Sequence, residues 1–224
     1  MSIIKKLKGK DRLLKEYDEL TNDPDINNCF GIDYWDPDAS NPDIFHWQIT
    51  LIPPIGTDYE GGFYKIECRF FEDYPESAPQ LKFVTRIFHC NVGERTGHIC
   101  INSIKNNWRP SLTMEDVFNH IIVLLYKQNP ESPMNKTAAK LYVEDKKKFL
   151  EKVKEYKIKY ANINDFENLN KQNIKIFKEC NCLNCKRIYK YNSKKNKTNS
   201  ENNHSHVLPP HFERLFRSMN IKFQ

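Results

Sequence analysis

The chain has 224 residues, 39% hydrophobic and 12% aromatic, which suffices for one sizeable domain with a packed core and an appendage. It has no apolar run of about 18 residues, and its N-terminus is too charged for the apolar centre of a secretory signal. We therefore expect an intracellular protein, cytoplasmic or nuclear, without a membrane span. Residues 1–160 carry 23 Lys and Arg against 24 Asp and Glu, whereas residues 161–224 carry 12 against 5. This asymmetry predicts a near-neutral domain over 1–160 and a basic extension over 161–224.

Residues 2–21 are predicted to form an amphipathic helix, which Pro24 and the two residues before it terminate. Four apolar side chains fall on one face of this helix at helical spacing. They are Leu13, Leu14, Tyr17 and Leu20.

A strand-rich stretch follows the helix. Residues 45–51 and 64–70 alternate apolar and polar side chains, and 81–84 form a further short strand. Gly61 and Gly62 lie between the first two strands and favour a tight turn. Because the connections are short, an antiparallel meander is predicted.

Residues 85–112 show no regular periodicity, and a compact domain rarely keeps so long an irregular stretch unless it has a task. The segment Thr113 to Asp116 fits a capping box that opens a helix. The proline-containing segment 129–133 ends that helical pattern, and helical spacing resumes from Ala138 through Tyr160.

Four motifs between positions 89 and 134 stand in order along the chain. They are His89-Cys-Asn91, Gly97-His-Ile-Cys100-Ile-Asn102, Trp108-Arg-Pro-Ser-Leu-Thr113 and Asn129-Pro-Glu-Ser-Pro133. With FHWQITL, YEGG, DYP and TRIFH upstream, they closely resemble the ubiquitin-conjugating enzyme family over roughly residues 5–160. The resemblance implies an α+β fold with an N-terminal helix, a four-stranded antiparallel meander sheet and three further helices, followed here by a C-terminal extension.

By this resemblance Cys100 is the nucleophile that carries ubiquitin, or a ubiquitin-like protein, as a thioester. A thiolate attacks thioesters readily and is itself a good leaving group. Asn91 matches an asparagine that donates to the oxyanion formed when lysine attacks, or that fixes the loop; loss of one oxyanion donor costs roughly 10²–10³ in rate. His89 matches a loop-forming histidine, and Asn102 and Ser132 occupy supporting positions.

The resemblance also implies a ligase-binding surface made by two loops. Its residues here are Glu76, Trp108, Arg109, Pro110 and Ser111. The basic face of the first helix (Lys5, Lys6, Lys8 and Lys10) either meets the activating enzyme or is simply solvated.

The expected partners are ubiquitin or a ubiquitin-like protein such as NEDD8, an activating enzyme, a ligase and protein substrates. Nucleic acid and membranes are not expected. No cofactor or metal is expected on this chain, because ATP and Mg are used by the activating enzyme.

Several positions depart from the family pattern. Cys90 and Gln128 each replace a proline, and Asn102 and Ser132 stand where many members have an acidic residue. Glu76 and Asn119 replace apolar side chains that contact the ligase and the donor ubiquitin. The thioester step is expected to survive these changes, whereas the choice of ligase and modifier stays open.

Two other functions are compatible with parts of the sequence. A non-catalytic ubiquitin-binding module is one, although such variants lack the cysteine that Cys100 provides. A cysteine hydrolase with His89 or His98 as its base is the other.

Three of the seven cysteines are bunched in the extension, at Cys180, Cys182 and Cys185. Without a secretory signal, thiols, metal ligands or a catalytic group are more expected than disulfides. A Cys₃His zinc site is one interpretation, with His204, His206 or His211 as the fourth ligand. A flexible basic tail with free thiols is another, and weak binding to nucleic acid or acidic partners is a third.

Overall fold

The computed structural model describes residues 3–35, 42–99 and 108–162, with side chains from residue 8 onward. Cys100, Asn102 and the whole predicted extension beyond 162 lie outside these residues. The helices are α1 (Ile3–Asn22), α2 (Pro24–Asn27), α3 (Met114–Tyr126), α4 (Lys136–Glu144) and α5 (Lys146–Tyr160); the strands are β1 (Phe30–Trp35), β2 (Asp43–Leu51), β3 (Tyr64–Arg69) and β4 (Gln80–Phe83).

The four strands form one antiparallel sheet in the order β1-β2-β3-β4, so the predicted meander is confirmed. Strands β2 and β3 coincide with the two alternating patterns, and β4 overlaps the further short strand predicted at 81–84. The first strand was not assigned from sequence, because Gly31 and Asp33 have low strand propensity and weaken its pattern. Pairing with β2 holds it in place, from Phe30 opposite Leu51 onward.

The core lies between one face of this sheet and the helices. Trp47, Leu51 and Cys68 of the sheet are fully buried, and so is Phe118 of α3. Fully burying a large apolar side chain contributes roughly 1.5–3 kcal/mol, so the contact between sheet and helices stabilises the fold. The sheet thereby becomes the rigid platform for the loops that follow β4.

Helix α1 packs on the sheet with Leu13 and Leu20 buried, as predicted. Leu14, predicted on the same buried face, is 40% exposed. Adjacent residues differ by about 100° around a helix, so Leu13 takes the core position and Leu14 turns toward solvent.

The predicted capping box at the start of α3 is confirmed. The Thr113 hydroxyl accepts from the Asp116 backbone N–H, and the Asp116 carboxylate accepts from the Thr113 backbone N–H at 2.8 Å. These bonds satisfy donors that a helix start would otherwise leave unpaired.

The helical spacing from Ala138 to Tyr160 is divided between two helices. Asp145 makes the division, because its backbone N–H closes α4 on Leu141 while its carboxylate caps α5 through the Lys148 N–H. Periodicity alone misses such a break, because the buried positions resume at Phe149 in helical spacing.

The described cysteines, Cys29, Cys68 and Cys90, are all buried. Among the helices of the described ranges, none is long and apolar enough to cross a membrane.

Candidate functional site

The loop after β4 places His89 in the interior, 1% exposed. Its Nδ1 accepts from the Asn91 backbone N–H at 2.9 Å, so its Nε2 carries the proton and donates to the Leu124 carbonyl at 3.0 Å. Burial lowers the pKa of His89 to about 4, because the charged imidazolium would lose its hydration. The ring is therefore neutral near pH 7, and both of its nitrogens are used within the loop.

Asn91 clamps this loop to the segment after α3. Its Nδ2 donates to the Asn129 carbonyl at 2.7 Å and to the Ser132 carbonyl at 3.1 Å. Its Oδ1 accepts from the Asn129 N–H at 2.8 Å. The side chain is 2% exposed, so the amide is held in one orientation by backbone groups of residues 129–132.

Cys90 is held between the same two segments. Its backbone N–H donates to Oε1 of Gln128 at 2.8 Å, and its carbonyl accepts from the N–H groups of Met134 and Asn135. Gln128 in turn donates from Nε2 to the Tyr59 hydroxyl at 2.9 Å. Burial raises the pKa of the Cys90 thiol to about 11, so this thiol stays protonated and is a poor nucleophile.

A second short segment returns toward this loop. Val92 and Ile99 form an antiparallel bridge, and His98 forms another with Lys82. Gly97 allows the return because its φ of +70° suits glycine, and a Cβ there would lie 2.1 Å from the Phe83 carbonyl oxygen. This described stretch ends at Ile99, directly before Cys100 in the chain.

The two loops predicted to form a partner surface lie side by side. The Trp108 indole N–H donates to the Pro75 carbonyl at 2.7 Å, and its ring centroid lies 6.0 Å from that of Tyr74. Trp108 is half-buried, whereas Glu76 and the exposed group Arg109, Pro110 and Ser111 face solvent. One indole therefore both joins the loops and fixes their spacing.

A buried carboxylate supports these loops from α1. Glu16 is 5% exposed and accepts from the Tyr74 hydroxyl at 2.9 Å and from the Met114 backbone N–H at 2.8 Å. Arg12 donates to Glu16 at 2.6 Å and also to the Leu112 and Pro110 carbonyls. Helix α1 is thus bonded to both loops and to the start of α3.

Residues 12–157 match the family model described as ubiquitin-conjugating enzyme. The chain belongs to this family. A solved structure from Plasmodium yoelii, described as a candidate ubiquitin conjugating enzyme, is 30% identical with a TM-score of 0.62, over 69% of this chain and 96% of that one. The ubiquitin conjugating enzyme E2 domain from Toxoplasma gondii is 30% identical with a TM-score of 0.60, over 68% of this chain and 98% of that one.

Membership of the ubiquitin-conjugating enzyme family confirms the predicted fold class. It also implies, in general terms, a transferase that interacts with ubiquitin, an activating enzyme and a ligase.

The geometry speaks against His89 as the base of a cysteine hydrolase. A base needs a free lone pair and a pKa near the working pH, whereas the Nδ1 of His89 already accepts a hydrogen bond and its pKa is about 4.

Within residues 8–35, 42–99 and 108–162, no group of three or more His, Cys, Asp or Glu side chains could hold a metal ion. The predicted zinc ligands in the extension lie outside these ranges.

Two buried residues that hold the loops of the site have little recognisable signal in the sequence. Gln128 stands out there only as a proline replacement, and Glu16 belongs to no motif. Their partners lie 38 and 98 residues away in the chain, at Cys90 and Met114. The only local signal was the spacing of Arg12 and Glu16, which places an ion pair on one helix face.

Proposed function

We propose that this chain is a ubiquitin-conjugating enzyme that accepts ubiquitin as a thioester on Cys100 and transfers it to a substrate lysine or a ligase cysteine. Membership of the family supports the reaction class. The observation that supports the site most directly is the Val92–Ile99 bridge. Asn91 precedes one end of this bridge in the chain, and Cys100 follows the other.

In the loading step, the Cys100 thiolate attacks the carbonyl carbon of the thioester that joins ubiquitin to the activating enzyme. A new carbon–sulfur bond forms, and the activating enzyme's thiolate leaves and takes up a proton. ATP and Mg act earlier, on the activating enzyme. The step needs no cofactor on this chain, because one thioester replaces another of similar energy.

In the transfer step, a lysine amine attacks the same carbonyl carbon. The amine loses a proton, the oxyanion collapses to an isopeptide, and the Cys100 thiolate leaves. Asn91 is proposed to donate to the oxyanion. Because its Nδ2 hydrogens already bond to Asn129 and Ser132, this role requires one of those bonds to be exchanged for the oxyanion.

The other cysteine of the loop is a poor candidate for the carrier. Cys90 is fully buried, and the pKa of its thiol is raised to about 11, so very little of it is thiolate at pH 7. Cys90→Ala therefore serves as a matched control for Cys100→Ala.

The test is a loading assay with activating enzyme, Mg-ATP and ubiquitin, followed on non-reducing gels with and without added thiol. A thiol-sensitive adduct is expected for the wild type and for Cys90→Ala, and none for Cys100→Ala. If Cys100→Ala loads as well as the wild type, Cys100 is not the carrier.

The modifier is tested by repeating the assay with the NEDD8 and SUMO proteins and their own activating enzymes. Ubiquitin is proposed as the preferred modifier. Faster loading with NEDD8 than with ubiquitin would identify the chain as a NEDD8-conjugating enzyme. No adduct with any of the three would favour the non-catalytic binding module.

A further inference from the structure

The segments that flank the candidate site hold each other reciprocally. The side chain of Gln128 bonds to the backbone of Cys90, and the backbone of the next residue, Asn129, bonds to the side chain of Asn91. Gln128 and Asn129 therefore form hydrogen bonds with Cys90 and Asn91, which are likewise consecutive in the chain. The Cys90 and Asn91 peptide units are fixed from both sides.

Gln128 is itself anchored from behind. Its Nε2 donates to the Tyr59 hydroxyl, which donates to the Phe88 carbonyl at 2.8 Å. Gln128 is 4% exposed and Tyr59 is fully buried, so water does not replace these bonds easily. A buried network of this kind is rigid when all of its members are satisfied.

The hydrogen bond between Cys90 and Gln128 joins the two positions at which this chain replaces a family proline. Proline has no backbone N–H, so the family's proline at position 90 needs no acceptor there. Cys90 brings a buried N–H, and an unpaired buried donor is costly. Gln128 supplies the acceptor that the second family proline lacks. The donor that one replacement adds is therefore satisfied by the acceptor that the other replacement adds.

We propose that Gln128 is a positioning residue for the aminolysis step, holding the Cys90–Asn91 peptide so that the Asn91 amide lies where the oxyanion forms. This inference rests on the proposed function. It assigns Gln128 no contact with ubiquitin or lysine. Thiolate exchange during loading also passes through an oxyanion, but its nucleophile is strong and its leaving group is good, so it depends less on oxyanion stabilisation than attack by an amine does. Gln128 is therefore expected to affect discharge to lysine and to leave loading nearly unchanged.

The test is a pulse–chase experiment that needs no ligase. Each variant of the full chain is loaded with labelled ubiquitin, the activating enzyme is stopped with EDTA, and free lysine is added as the probe. Gln128→Met removes the acceptor at similar size. It is expected to slow discharge about tenfold, less than the 10²–10³ expected from deleting the donor, because Asn91 itself remains. Lys127→Ala, at the exposed neighbouring position, is the matched control and is expected to discharge at the wild-type rate.

The decisive comparison is between two double variants. Cys90→Pro/Gln128→Met has no backbone N–H to satisfy and is expected to discharge within about threefold of the wild type. Cys90→Ala/Gln128→Met keeps the unpaired N–H and is expected to remain about tenfold slow. If only loss of the Cys90 thiol mattered, the two double variants would discharge at the same rate.

The inference is overturned if Gln128→Met discharges at the wild-type rate, or if both double variants are rescued equally. If Gln128→Met does not fold, the two double variants still give the comparison. Should neither fold, Tyr59→Phe, which removes the hydroxyl that anchors Gln128, is expected to slow discharge about threefold, and a wild-type rate overturns the inference. Failure of wild-type loading would overturn the proposed function instead, so the two failures are distinguishable.

Discussion

Replacing Glu16 with leucine is predicted to destabilise the protein by about 4 kcal/mol, because two buried donors lose their acceptor. The Tyr74 hydroxyl and the Met114 N–H both bond to this carboxylate, and Tyr74 and Met114 are 1% and 0% exposed. Each unsatisfied buried donor costs about 1–3 kcal/mol. Arg12 keeps its bonds to two carbonyls and adds less.

The assay is urea unfolding at pH 7.5, followed by tryptophan fluorescence. The matched control is Glu19→Leu on the same helix, where the carboxylate is 61% exposed and lies 3.6 Å from Lys15. Exposed ion pairs contribute about 0–1 kcal/mol, so the control is expected to stay within 1 kcal/mol of the wild type.

A double variant isolates the mechanism. Tyr74→Phe removes the hydroxyl, so Glu16→Leu is expected to cost about 1–2 kcal/mol less in the Tyr74→Phe background. If Glu16→Leu costs no more than Glu19→Leu, or if the two substitutions are additive, the network does not hold the loops as described.

Three further predictions concern the same region. First, His89 has a pKa of about 4 when folded and about 6.5 when unfolded, so the unfolded chain binds the extra proton and stability falls as pH falls between these values, by about 1.4 kcal/mol per pH unit. Urea titrations at several pH values should therefore show a shallower fall for His89→Gln, and equal slopes would contradict the assignment. Second, Gly97→Ala is expected to destabilise by about 2 kcal/mol or more because of its positive φ and the clash with Phe83, measured by thermal unfolding, and an unchanged Tm would refute the close approach. Third, the thiols of Cys68 and Cys90 are expected to resist alkylation by iodoacetamide in the native state and to react in urea; peptide mapping by mass spectrometry checks this, and native labelling would disprove their burial.

Much of the fold could be predicted from the sequence because its signals are local. The alternation of β2 and β3, the capping box at Thr113 and the proline-marked breaks each depend on residues within one element. Strand β1 escaped prediction because its placement comes from pairing with β2 rather than from its own composition. The break at Asp145 escaped because capping changes backbone direction without disturbing the spacing of buried residues.

The candidate site was predicted in part, for a related reason. Motif spacing identified the residues around His89 and Asn91, yet it could not reveal which groups satisfy their hydrogen bonds. Those partners, including Gln128, come from distant segments that only the fold brings together. Buried polar pairs of this kind have no local pattern in one sequence.

The hydrogen bonds of the loop explain how the chain accommodates Cys90 in place of the family proline. Replacing a proline with Cys90 adds a donor rather than only loosening the backbone, and Gln128 accepts from it at 2.8 Å. The loop is therefore held by hydrogen bonds where the family pattern relies on the restricted φ of proline.

The measurement that tests the central claim most directly is intact-mass analysis of Cys100→Ser after incubation with activating enzyme, Mg-ATP and ubiquitin. A serine oxygen in place of the sulfur turns the thioester into an oxyester, which thiols do not cleave readily. The account predicts one adduct, equal in mass to the two proteins less one water, that survives dithiothreitol and is released by hydroxide, whereas the wild-type adduct is lost in dithiothreitol. An adduct on Cys100→Ser that dithiothreitol removes as readily as the wild-type adduct would place the thioester on another cysteine and contradict the account.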